Sequence, residues 1–246
     1  MPNFWKAVNK VIEESDVILM LLDARLVDET RNIEIENKVK GHKKPLIYVI
    51  TKCDLVDPGD IKQKKQELGL AVFVSAKDHH GMKMLRDKIL IQAQRLGKKT
   101  AKVGVLGYPN VGKSSLINSL KGKKAASTSS LSGHTKGVQN VRADNRIMLL
   151  DTPGVIPYKE KDFMKHAFIG TLDHIKIKEP DLVVMELLER FPGKIERSYG
   201  VKEKEDKEET IEDIALKTNT LKKGGIPDVM RISQKIIRDW QAGKIR

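Results

Sequence analysis

The chain has 246 residues, with 46 Lys+Arg against 33 Asp+Glu and one Cys. A composition 39% apolar and 32% charged excludes a wholly disordered chain, and no apolar run approaches the ~18 residues of a membrane span. The net charge of +13 invites a polyanion partner, while lone Cys53 excludes an internal disulfide or a thiolate metal cluster and suits a reducing cytoplasm.

The length suits one large domain, or a medium domain with a smaller appendix. The opening MPNFWKAVNKVIEES lacks the apolar stretch of a secretory signal. Its Phe4, Trp5, Val8, Val11 and Ile12 recur at helical spacing, which predicts a helix ahead of the first strand. Apolar runs predict strands at 17–23, 45–51, 71–75, 102–106, 138–142 and 147–151. Several are nearly all apolar, as in a sheet covered on both faces. Charged stretches of helical period at 29–40, 60–68 and 81–96 alternate with them, so an α/β fold with a mostly parallel sheet is expected. Beyond about residue 158 helical patterning dominates: DLVVMELL at 181–188 is the apolar run, KEKEDKEETIED at 202–213 is charge-dense, and Val229, Ile232, Ile236, Ile237 and Trp240 mark a terminal amphipathic helix.

Chemistry concentrates where strands end. Gly107-Tyr-Pro-Asn-Val-Gly112-Lys113-Ser114 fits G-x-x-x-x-G-K-[ST], lies directly after a strand, and runs into a helix through Ser115. Backbone N–H groups around Val111 and Gly112 at the helix N-terminus suit phosphates; Lys113 suits β/γ-phosphate charge and Ser114 a Mg²⁺ ligand. Asp151-Thr-Pro-Gly154 ends the last strand, so Asp151 is placed to hold a magnesium-bound water and the Gly154 N–H to reach a γ-phosphate. Between them, 121–137 is rich in Ser, Gly, Thr and Lys, with Thr135 the candidate that closes on Mg²⁺ and γ-phosphate and Thr128 its rival. Thr51-Lys52-Cys53-Asp54 and Ser75-Ala76-Lys77 follow two earlier strands. The Asp54 carboxylate suits guanine N1 and N2, and the Ala76 N–H suits guanine O6. Cys53 reads as a filler beside that loop, His79-His80 as a solvated turn, Lys62, Lys64 and Lys65 as a wet helix face, and Trp5 and Trp240 as core anchors.

TKCD and SAK resemble the fourth and fifth motifs of Ras-like GTPases, but here they precede the phosphate loop and DTPG. That order resembles the circularly permuted GTPases of the YlqF/YawG group, which includes RbgA-like ribosome-assembly GTPases. The tail sequences GGIPD at 224–228 and IRDWQAGKI at 237–245 resemble that group's C-terminal helical domain. The resemblance implies a Ras-like P-loop sheet in permuted order over 1–157 and an α-helical domain over 158–246 contacting rRNA. It further implies GTP/GDP and Mg²⁺ as cofactors, and GTP hydrolysis as a switch in large ribosomal subunit assembly. A cytoplasmic monomer off the ribosome is expected, partnered by the large subunit or its precursor and by no membrane.

Three departures qualify the transfer of roles. Val155 stands where Ras-like enzymes carry a water-orienting Gln, so hydrolysis slow without a ribosomal activator is expected. The phosphate loop resembles those whose Asn helps bind K⁺, making Asn110 the potassium candidate. The group's N-terminal His has no counterpart before His42, which leaves His134, beside Thr135, as a low-ranked catalytic candidate. Thr51 replaces the usual Asn that braces neighbouring loops, so a modest guanine affinity is expected. Alternatives kept open are an RNA-binding scaffold with negligible hydrolysis and a P-loop nucleotide kinase, which TKCD and SAK disfavour. The charge sits mainly on residues 1–159, with 28 Lys+Arg against 16 Asp+Glu, and 160–246 carries 18 against 17.

Overall fold

A computed structural model of the protein describes residues 3–121, 139–152 and 162–245. It divides into two compact units, Met1–Glu160 and Lys161–Arg246.

In the first unit, α1 (Asn3–Glu14) buries Trp5, Val8, Val11 and Ile12, a spacing that puts them on one helical face. The helix lies close over the sheet where Gly104 carries no side chain. A Cβ there would sit 2.6 Å from Ser15 Oγ and 2.7 Å from Val11 Cγ1. Strand β1 (Val17–Asp23) is buried along its whole length, and it pairs in parallel with β2 (Leu46–Thr51) and β4 (Ala101–Gly107). β3 (Ala71–Phe73) pairs in parallel with β2, and β6 (Ile147–Asp151) with β4. β5 (Gln139–Arg142) runs antiparallel beside β6. The six-stranded order is β3-β2-β1-β4-β6-β5, flanked by α2 (Val27–Thr30), α3 (Ile33–Gly41), α4 (Pro58–Leu68), α5 (Met82–Arg95) and α6 (Lys113–Lys121).

Two expectations shift. The single helix expected over 29–40 is two, because Asn32 is extended (φ −114°) and its side chain caps α3 by accepting from Ile35 N at 3.1 Å. The third strand ends before Val74 and Ser75. Val74 N still donates to Ile50 O at 2.8 Å, but Ser75 N turns to His80 O at 3.2 Å, closing the loop that carries SAK.

The second unit is helical: α7 (Phe163–Phe168), α8 (Pro180–Arg190), α9 (Lys194–Tyr199), α10 (Lys207–Lys217) and α11 (Val229–Gln241). Its core is the apolar face of α11, with Ile232, Ile236, Ile237 and Trp240 fully buried, against Val183, Val184, Leu187 and Leu188 of α8 and Ile211 and Ile214 of α10. The Trp240 indole donates to Phe168 O at 3.1 Å and its ring lies 4.7 Å from that of Phe191. The charge-dense stretch resolves into a loop and the first turns of α10, with Asp206 capping the helix and Lys204 reaching Glu209 and Asp213.

Candidate functional site

Because β1, β2, β3, β4 and β6 are parallel neighbours, the loops following them emerge along one edge of the sheet. Chain order reverses direction between β1 and β4, so the crevice where open α/β sheets bind ligands opens beside Asp23 and Gly107.

The phosphate loop follows β4 there. Gly107 has φ 155°, and a Cβ on it would lie 2.9 Å from Leu21 O, so the loop can begin flush against β1 only with glycine. Gly112 needs its own freedom for another reason: φ is 97°, in the left-handed region. Lys113 opens α6 with its side chain buried, and Nζ donates to Gly107 O at 3.0 Å and Tyr108 O at 2.6 Å. Burial lowers its pKa to about 8, opposed by the nearby Asp151 carboxylate. Ser114 and Ser115 are exposed on the first turn of α6, and Asn110 is exposed at the loop tip with φ 61°.

Asp151 ends β6. Burial raises its pKa, Lys113 opposing, and its Oδ1 is buried with no hydrogen-bond partner among the described residues. A buried acceptor left open in this way is what a water-held cation requires, so the site fits Mg²⁺. Thr152, beside it, is tied down by donating to Val105 O at 2.8 Å.

The loops carrying TKCD and SAK are tied to this centre. Thr51 ends β2, and its hydroxyl lies 2.6 Å from Val111 O in the phosphate loop and 2.9 Å from Leu22 O in β1. Threonine therefore bridges the loops, and the lack of a brace expected from the missing Asn is corrected: the hydroxyl is short, but β2 ends within reach of the phosphate loop. Lys52 is left-handed (φ 55°) and leads into a tight turn over Cys53–Leu55 that holds Asp54 half-buried. Ser75 is buried and its Oγ accepts from Asp78 N at 3.1 Å, shaping the SAK turn. Ala76 O accepts from Ser119 Oγ of α6 at 3.2 Å, whereas Lys77 is exposed. Thr135, its rival Thr128, His134, Gly154 and Val155 lie outside the described residues.

Sequence reasoning missed Asp23 and Arg25. The Asp23 carboxylate is 2% exposed and receives Arg25 Nε at 3.1 Å, Arg25 Nη2 at 2.9 Å and Lys52 Nζ at 2.8 Å. Burial alone would raise that carboxyl; the two cations overcome it and hold it well below the usual carboxylate range. Lys52 is thereby anchored between the base loop and the crevice. The signal was present: VILMLLDAR closes a run of six buried apolar residues with an acid and then a base.

Comparison with known proteins agrees with this geometry. A family described as RsgA GTPase matches residues 34–159, and one described as 50S ribosome-binding GTPase matches residues 102–223. An uncharacterized GTP-binding protein of Methanocaldococcus jannaschii is 45% identical over 98% of this chain and 65% of its own length. Nucleolar GTP-binding protein 2 of Saccharomyces cerevisiae is 36% identical over 98% of this chain and 52% of its own, and nuclear/nucleolar GTPase 2 of Arabidopsis thaliana 34% over 98% and 43%. The chain thus spans between two fifths and two thirds of these relatives. The structure of GNP-bound YlqF from T. maritima superposes with a TM-score of 0.64 at 24% identity, covering 98% of this chain and 94% of that one, a likeness of fold.

Proposed function

The chain belongs to the circularly permuted GTPases, its residues 34–159 matching the RsgA GTPase family, and from that premise we propose that it hydrolyses GTP as a switch in large ribosomal subunit assembly. The observation that carries the reading is the Thr51–Val111 hydrogen bond, which joins a base-reading loop to a phosphate loop across the switch point of the sheet.

In this reading the Gly107–Ser115 loop and the N-terminus of α6 cradle the phosphates. Lys113 exchanges its two loop carbonyls for β/γ-phosphate oxygens, and Asp54 and Ala76 read guanine beside Lys52, Ser75 and Lys77. Ser114, Thr135 and, through water, Asp151 hold Mg²⁺, which supplies charge neutralisation on the transferred phosphoryl group. Gly154 senses the γ-phosphate. Val155 cannot orient water, so turnover waits on an activator, with K⁺ at Asn110 and the His134 imidazole as the chain's own candidates for the missing charge and proton contact. Residues after DTPG run directly into the segment 158–246, which gives nucleotide state a covalent route to the helical unit.

The partner is the large subunit or its precursor, met through rRNA by a chain of net charge +13. Among the described helices none is long and apolar enough to cross a membrane. The compartment is where ribosomes are assembled, which widens the cytoplasmic expectation because yeast and plant relatives are named nucleolar.

The test is turnover of GTP and ATP, with and without large subunits and K⁺, alongside nucleotide-dependent co-sedimentation. GTP-specific hydrolysis stimulated by subunits supports the switch. Binding without turnover supports a scaffold instead, and phosphate transfer to a nucleoside acceptor overturns both. Asp54→Asn is expected to weaken GTP and favour xanthosine triphosphate; an unchanged base preference removes Asp54 from the site.

A further inference from the structure

The second unit holds a cleft of about 440 Å³, bounded by α11, the turn His174–Lys176 and the end of α10. Its wall on α11 carries Arg231, Lys235 and Arg238, at i, i+4 and i+7, so one helical face presents three cations over ~10 Å. Among the described residues no carboxylate lines it. The two nearest in sequence have partners of their own: Asp239 accepts from Lys244 Nζ at 3.0 Å and Tyr199 Oη at 2.9 Å, and Asp173 caps Ile175 N at 3.1 Å with its carboxylate 3.3 Å from His174 Nδ1. Arg238 Nε lies 3.7 Å from Asp239, whereas Arg231 and Lys235 make no ion pair among the described residues.

The rest of the lining is of a different kind. His174 and Ile175 offer a ring and an apolar surface, Ile175 being 70% exposed, and Asn219 and Gln234 contribute amides to the lining. Set beside a basic row, an exposed aliphatic residue and a ring give a flat, partly apolar group a platform to lie on. A phosphate alone would use the cations and leave this part of the lining idle. A carboxylate side chain would likewise use the cations and leave the ring and Ile175 idle.

We propose that this cleft binds an unpaired nucleotide of a single-stranded RNA segment. Its flanking phosphates lie along Arg231, Lys235 and Arg238, its base lies against His174 and Ile175, and Asn219 and Gln234 meet the base edge. Duplex RNA hides its bases in the stack, so the cleft selects loops, bulges and ends over helices. The proposal rests on the reading of an RNA partner above and adds which RNA: the helical unit recognises an unpaired strand, whatever the strongly basic first unit contacts.

The test is fluorescence anisotropy on the full chain with a single-stranded RNA 12-mer, its duplex, and a polyglutamate peptide as competitor. The variants are the triple Arg231→Gln/Lys235→Gln/Arg238→Gln and the single His174→Ala, whose exposed or half-buried side chains leave the core of α11 untouched. The triple variant is expected to bind the single strand at least about tenfold more weakly, with the salt slope lowered by about 2, three contacts at ~0.7 each. His174→Ala is expected to weaken it about fivefold with the slope unchanged, the mark of stacking. Unaltered GTP affinity and circular dichroism in both variants show that the fold is intact. Undiminished single-strand binding by the triple variant, equal affinity for duplex with a neutral His174→Ala, or displacement by polyglutamate as effective as by RNA overturns the proposal. If the triple variant keeps both its single-strand affinity and its co-sedimentation with large subunits, the cleft is wrong and the switch stands. If wild type binds neither RNA nor subunits, the ribosomal reading falls with it.

Discussion

Residues 1–160 carry 28 Lys+Arg against 17 Asp+Glu, and residues 161–246 carry 18 against 16, and the two candidate sites use their charges in different ways. In the first unit the charges that matter are withdrawn from water and fixed. Asp23 is held by Arg25 and Lys52, Lys113 is folded onto its own loop, and Asp151 is buried with an open oxygen. In the second unit charge is sorted along the surface: acids dominate 196–213, while 221–246 has seven Lys+Arg against two Asp+Glu. Fixed, desolvated charges suit a small anion that must be met in one geometry. Exposed, screened cations suit a polymer that is met by many weak contacts. The contrast teaches that total charge locates neither site; the solvation of each charge does.

The largest effect should come from the helical unit's core. Trp240→Ala removes a fully buried indole together with its bond to Phe168 O and its contact with Phe191, at a cost of about 3–5 kcal/mol. Differential scanning calorimetry should show the second unit melting early while GTP binding by the first persists. A single transition that shifts as a whole, with nucleotide binding lost, would mean the two units fold as one and would break the comparison.

Asp23→Asn addresses the opposite pole. It leaves Arg25 and Lys52 facing a neutral amide in a largely buried site, a loss of about 3 kcal/mol. Since the folded carboxyl lies below its unfolded value near 4, its contribution is fully present above that pH and is lost as the pH falls through the folded pKa. Urea unfolding from pH 5 down to pH 2 should therefore give a shallower acid limb for the variant than for wild type. Asp239→Asn in the second unit removes a carboxylate that burial raises but Lys244 and Tyr199 pull down, and its effect should be smaller and fade in ~1 M salt. Equal salt resistance at both positions would erase the distinction between buried and displayed charge.

Most strand positions were legible because these strands are apolar throughout: β1 and β6 fall where the pattern predicts, residue for residue. The motif loops were legible because glycines and a lysine at fixed spacing leave few other uses. What escaped the sequence was decided by single polar contacts over long separations. Asn32 splits a helix through one side-chain bond to Ile35 N, and nothing in the helical period announces it. Asp23 and Lys52 are 29 positions apart and meet only because β1 and β2 are parallel neighbours ending in register, Asp23 opposite Thr51. The cleft of the second unit was illegible for the same reason. Its basic row can be read from α11, but His174 and Ile175 stand more than 50 positions earlier.

Thr51 makes the smallest of these changes and the sharpest distinction. Its hydroxyl has one hydrogen and two acceptors in reach, and the shorter approach is to Val111 O in the phosphate loop. Thr51→Val keeps the shape of the side chain and the β-branch that suits the end of β2, but leaves both carbonyls without this donor, a loss of about 1 kcal/mol. If the bond only stabilises the fold, unfolding shifts and GDP affinity does not. If it holds the phosphate loop in its binding shape, affinity falls about fivefold with it, and Thr51→Ser, which retains the hydroxyl, restores both. Titration calorimetry on the three proteins separates these outcomes. Affinity and stability falling together, with rescue by serine, is the expected result, because Val111 stands one residue before Gly112 and two before Lys113, inside the loop that must curl around the phosphates.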